Sequence, residues 1–148
     1  MRFLLPAHQI RPSIALLDDM PLTGGASRAR SKLIRLLEQA YASFAEDEYE
    51  LVRAHAVCDE DGQPVIDNDG TLTLADPDHA AGFQAQHQAL LAQRVEVEGP
   101  TYEHHGHDVV SFLDALEMEL SGSAAAAYDA LYDAITESLT ATGGEKHP

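Results

Sequence analysis

The stretch from residue 28 to residue 56 limits the fold more than any other, because no other segment is as long and as periodic. Leu33, Leu36, Leu37, Ala40, Phe44 and Leu51 fall on one side of a 3.6-residue wheel, which predicts one amphipathic helix. At 1.5 Å per residue such a helix runs for ~40 Å, the length of a spine against which shorter elements pack. Arg28, Lys32 and Arg35 cluster opposite the apolar stripe, and Arg30 lies at its edge. Asp47 and Glu48 sit on the shoulders of the stripe where it is interrupted, so either the helix leaves the core there or these carboxylates meet a cation.

On either side of this helix the pattern is legible in shorter pieces. Residues 1–5 read as a short strand or an extended lead-in, too short an apolar block for a signal peptide. Ile10, Ile14 and Leu17 predict a helix over 6–19, with Pro12 either kinking it or standing in its first turn. Asp-Gly pairs at 61–62 and 69–70 flank Val65-Ile66 and precede Thr71–Leu74, which predicts a β-hairpin. Asp76-Pro77 announces a helix whose inner face carries Phe83, His87, Leu90 and Leu91. Arg94 to Glu98 alternates as a strand and is expected to join the hairpin in a three-stranded sheet. Two narrow apolar stripes follow: one from Val109 to Leu120, started by a capping Asp108, and one from Tyr128 to Leu139. A Ser-Gly-Ser link between them predicts an αα-hairpin.

The sequence therefore predicts one α+β domain over 1–148, predominantly helical. Its parts are a helix over 6–19, a long central helix over 26–56, a β-hairpin, helix and strand over 57–98, a C-terminal αα-hairpin over 108–141 and a tail over 142–148. No apolar run reaches the ~20 residues that a membrane span needs. The single cysteine, Cys58, precludes an internal disulfide and points to a reducing, cytoplasmic compartment. The net charge of −16 is divided unevenly, residues 1–45 carrying +3 and residues 46–148 carrying −19. Phosphates repel such a surface, which disfavours nucleic acid as a partner. The basic end is suited to an acidic partner, including the acidic end of a second copy. An antiparallel dimer of the long helix brings Arg30 of one copy near Glu48 of the other.

Motifs of site chemistry mostly fail on spacing. Asp59-Glu60-Asp61-Gly62 and Asp67-Asn68-Asp69-Gly70 look like calcium loops. Five residues before each glycine stands a valine, and six after stand Asn68 and Asp76 rather than glutamate. Two turns account for these residues. The dense run Glu103-His104-His105-Gly106-His107-Asp108 offers His104, His105, His107 and Asp108 as ligands for a divalent metal, but it lacks the His-Glu-x-x-His spacing. His87, on an apolar helix face, reads as a hydrogen-bonded core histidine rather than a ligand.

Four quoted segments carry a family resemblance. They are Phe3-Leu4-Leu5-Pro6, Gly25-Ala26-Ser27-Arg28-Ala29-Arg30 leading into Leu33-Ile34-Arg35-Leu36-Leu37-Glu38, Asp59-Glu60-Asp61-Gly62-Gln63-Pro64-Val65-Ile66, and Val95-Glu96-Val97. Over 3–98 the chain resembles a family of small phage and prophage proteins of uncharacterised function, from tailed phages of Gram-positive bacteria. The resemblance implies a phage-encoded protein of the host cytoplasm and brings no catalytic residue with it. The expected function is protein–protein interaction without catalysis, as an assembly factor or a modulator of a host protein, with a virion component as a variant of that reading. Arg28, Arg30, Lys32 and Arg35 are its candidate partner contacts, and no cofactor is expected. The alternative is a divalent-metal-binding protein or metal-dependent hydrolase built on His104, His105, His107 and Asp108.

Overall fold

The computed structural model describes residues 1–145. In chain order its elements are β1 (Arg2–Pro6), α1 (Ile10–Asp19), α2 (Gly24–His55), α3 (Ala80–Ala92), β2 (Arg94–Glu98), α4 (His105–Asp114) and α5 (Gly122–Glu145). The fold is mostly helical and α2 is its longest element, 32 residues. Internal contacts divide the chain into two compact units, Met1–Tyr41 with Arg94–Pro148, and Ala42–Gln93.

The first unit holds the hydrophobic core. Phe3 and Leu5 of β1, Leu16 and Leu17 of α1, Leu33 and Leu37 of α2, Val97 of β2, Phe112 and Leu113 of α4 and Leu131 and Ile135 of α5 form one buried cluster. The helical residues among these come from the stripes read over α1, α2, α4 and α5, as expected of amphipathic helices packed on one core. The stripe of α3, by contrast, buries no residue completely, and α4 ends at Asp114, short of the expected Leu120. α1 follows a 3-10 turn at Ala7–Gln9 and starts at Ile10, so Pro12 stands in its first turn, where a missing N–H is harmless. α5 packs on α1, β1 and α4, and the Tyr128 hydroxyl donates to the Leu113 carbonyl at 2.6 Å. α4 begins at His105, earlier than the expected cap, so Asp108 is an acidic residue of its first turn. Residues 146–148 of the tail expected over 142–148 lie outside the described residues.

The sheet corrects the sequence reading. It has two strands: β2 pairs antiparallel with β1, Arg2 opposite Glu98, Phe3 opposite Val97 and Pro6 opposite Arg94. The expected three-stranded sheet of β2 with the 65–74 hairpin does not form. β1 offers β2 a partner whose alternate residues, Phe3 and Leu5, enter the core beside Val97. The hairpin segments offer no such face, and Ile66 is 64% exposed.

In the second unit residues 56–74 make only isolated bridges, Ala56 to Leu74, Cys58 to Pro64 and Ile66 to Leu72. The segments meet, but Asp, Gly and Pro cut them too short to extend a ladder. Both Asp-Gly turns are present, with Gly62 at φ 80° and Gly70 at φ 83°, a region that glycine enters without strain. Asp59 Oδ1 accepts from the backbone N–H of Asp61 and Gln63, and Asp69 Oδ1 accepts from Thr71. These carboxylates are spent on closing turns, which is the turn reading of the Asp-x-Asp-Gly units. Asp76 caps the 3-10 turn Pro77–His79 ahead of α3 by accepting from the Asp78 N–H.

Candidate functional site

The four basic residues proposed as contacts have different surroundings. Arg30, half-buried, donates to the carbonyls of Met20 at 2.6 Å and Leu17 at 3.4 Å and to Ser27 Oγ at 2.9 Å. It thereby bonds to carbonyls where α1 ends, the Leu17 carbonyl also accepting from the Met20 N–H, and its positive charge suits that helix terminus. Arg28 and Arg35 are exposed and Lys32 is half-buried. Arg30→Ala is expected to lower stability by ~2 kcal/mol, because a charged donor to the Met20 carbonyl and to Ser27 Oγ is lost. Arg28→Ala and Arg35→Ala should stay within ~0.5 kcal/mol of the parent. Urea unfolding of the three variants checks the difference.

The histidine run is split by the start of α4. His105 is fully buried: its Nε2 lies 2.8 Å from the Ala29 carbonyl and its Nδ1 3.0 Å from Thr101 Oγ1. A carbonyl only accepts, so Nε2 carries the proton and Nδ1 is left to accept from the Thr101 hydroxyl. Burial holds the ring's pKa below its ordinary value, and the charge of Lys32 acts in the same direction. Asp108 Oδ2 accepts from the Tyr102 hydroxyl at 2.8 Å. Burial, followed by that carboxylate, pushes the Tyr102 pKa up to about 12, with Arg28 acting in the opposite sense. His104 and His107 are exposed, their ring centroids 6.1 Å apart. The structure thus brings the start of α4 against the basic end of α2, but not as a ligand set. Among the described residues no group of three or more His, Cys, Asp and Glu is placed to hold a metal ion.

The second unit supplies what the motif search passed over. Between Ala42 and Gln93 stand eleven acidic residues and one arginine, a net charge of −10. Its fully buried hydrophobic residues are Phe44 and Ala56, and α3 buries no residue completely. Val57, Val65 and Ile66 are exposed. α3 is held to α2 by His87 Nε2 at 2.9 Å from Glu48 Oε2, and by Phe83 between the rings of His55 and His87. His87 is thus hydrogen-bonded as expected but half-buried rather than in a core, and Glu48 is the shoulder carboxylate that finds a partner. Arg30 and Glu48, the pair expected to meet across a dimer, each have partners within their own unit. Asp47, the other shoulder, lines a groove of about 550 Å³ with Leu51 of α2 and Gln86, Ala89, Leu90 and Gln93 of the α3 side. The interruption of the apolar stripe at 47–48 was the signal for this surface. The groove itself depends on where α3 docks, which periodicity does not encode.

No helix among the described residues is long and apolar enough to cross a membrane. No curated protein and no solved structure matches the chain. One family does match: the one described as "Protein of unknown function (DUF1617)", over residues 6–142. That span runs on through α4 and most of α5, beyond the 3–98 over which the resemblance was read. The chain belongs to the DUF1617 family of proteins of unknown function.

Proposed function

We propose that this is a phage- or prophage-derived protein that works without catalysis, by contact with another protein, as an assembly factor or a modulator of a host protein. One observation carries the reading: the second unit leaves Val57, Val65 and Ile66 exposed while carrying a net charge of −10. A unit of this size that buries so little is marginal alone and gains most from covering its apolar residues. The high charge keeps the uncovered surface soluble until a partner arrives. Phage origin rests on the resemblance of residues 3–98, and a cytoplasmic setting fits a chain with one cysteine. Arg28, Lys32 and Arg35 serve as a secondary contact for acidic groups.

The test is the light-scattering mass of the purified protein, with elemental analysis of the same sample, repeated on a Val65→Ser/Ile66→Ser variant. A metal-free protein is expected. An assembly above the 16.0 kDa of one chain that the variant dissolves assigns the covered face to a second copy. A metal-free single chain assigns it to a different protein. Stoichiometric zinc or manganese overturns the reading and favours the histidine run.

A further inference from the structure

Within the second unit, the groove between α2 and α3 has a chemistry that selects its occupant. Its lining is apolar at Leu51, Ala89 and Leu90 and polar at Asp47, Gln86 and Gln93. On α3 the lining residues 86, 89 and 90 recur at i, i+3 and i+4, the spacing at which one helix presents a stripe to another, and Gln93 follows at the extended C-cap. Leu51 and Leu90 are only half-buried, so two neighbouring helices expose a shared apolar strip. Asp47 has no ion-pair partner among the described residues, and Glu46 next to it is exposed.

We propose that this groove receives an amphipathic helix of another protein, its apolar stripe on Leu51, Ala89 and Leu90 and its flanks rich in lysine or arginine. The inference rests on the protein-interaction reading above and specifies the partner's chemistry. Ala89, with its small side chain, lets a helix backbone approach closely, so a third helix completes a core that two helices leave open. The net charge of −10 complements a basic partner and repels nucleic acid. α3 has 13 residues, ~20 Å of helix, which sets the occupant at about four turns.

The test uses the full-length protein and two fluorescent peptides of about 14 residues, matched to α3 in length. One carries leucine at i, i+3, i+4 and i+7 with lysine elsewhere, and the other is a scrambled isomer without an apolar face. By anisotropy at physiological salt, the patterned peptide is expected to bind ~10-fold more tightly than the scrambled one and to gain helical circular dichroism on binding. The decisive variant is Ala89→Glu, compared with Ala85→Glu, which places the same charge on an α3 residue that does not line the groove. Attraction by charge alone makes both variants bind more tightly. Docking in the groove makes Ala89→Glu lose ~10-fold while Ala85→Glu does not weaken. Equal binding of the two peptides, binding unweakened in Ala89→Glu, or no binding of either peptide overturns the groove assignment. The broader interaction reading then still stands or falls on mass and metal content.

Discussion

Replacing His105 with alanine is expected to lower the stability of the protein by ~3 kcal/mol, a fall of roughly 10 °C in Tm. The ring is fully buried and joins α4 to α2 through Ala29 and to the preceding loop through Thr101. Its removal leaves a cavity and takes the Thr101 hydroxyl's partner away. His105→Gln should recover part of the loss, because a side-chain amide can again donate to the Ala29 carbonyl. The same geometry fixes a pH dependence. Burial lowers the folded-state pKa below the ordinary 6.5, so below that value the unfolded chain binds the proton more readily than the folded one. The contribution of His105 is therefore fully present above 6.5. It is lost as pH falls from there through the folded-state pKa, and His105→Ala should flatten that slope. Thermal melts between neutral pH and pH 5 read both effects. An undiminished Tm in His105→Ala, or a slope unchanged by it, contradicts a structural role for the ring.

The second large effect is expected at Val97. Val97→Asp places a carboxylate at a fully buried position directly opposite Phe3, among apolar core residues. A loss above ~4 kcal/mol follows, a large part of the ~5–15 kcal/mol that keeps a domain folded. Glu96→Ala, one residue away on the opposite face, should cost under ~1 kcal/mol, because its pairing with Arg2 is solvent-exposed. Val65→Asp, in the expected hairpin, should stay within ~0.5 kcal/mol. A three-stranded sheet of β2 with the hairpin predicts comparable damage at 97 and 65. The pairing of β2 with β1 predicts damage at 97 alone. Circular dichroism and urea midpoints of the three variants decide between them.

Much of this architecture follows from local periodicity. The stripe Leu33, Leu36, Leu37, Ala40 and Phe44 is buried as its spacing requires, and Val109, Phe112, Leu113, Leu131 and Ile135 likewise point into the core. Helix ends followed local chemistry less closely. Asp76 and Pro77 open a 3-10 turn as a cap and first residue should, whereas Asp108 lies inside α4 rather than ahead of it. The helical wheel sets Arg30 at the edge of the apolar stripe, apart from Arg28, Lys32 and Arg35, and Arg30 bonds to carbonyls at the end of α1 while Arg28 and Arg35 stay in solvent.

What the sequence determined by itself was where most of the helices lie, which faces α1, α2, α4 and α5 bury and where the Asp-Gly turns fall. These depend on residues within a few positions of one another, and hydrophobic spacing and backbone preference act at that range. The tertiary structure alone decided that β2 pairs with β1, from which most of the chain separates it, that His105 is an internal strut, and that α2 and α3 leave a groove beside Asp47. A strand's alternation states which face is apolar but not which edge it will join. The choice falls to whichever partner lets both apolar faces enter one core, and here only β1 carries residues, Phe3 and Leu5, that do so.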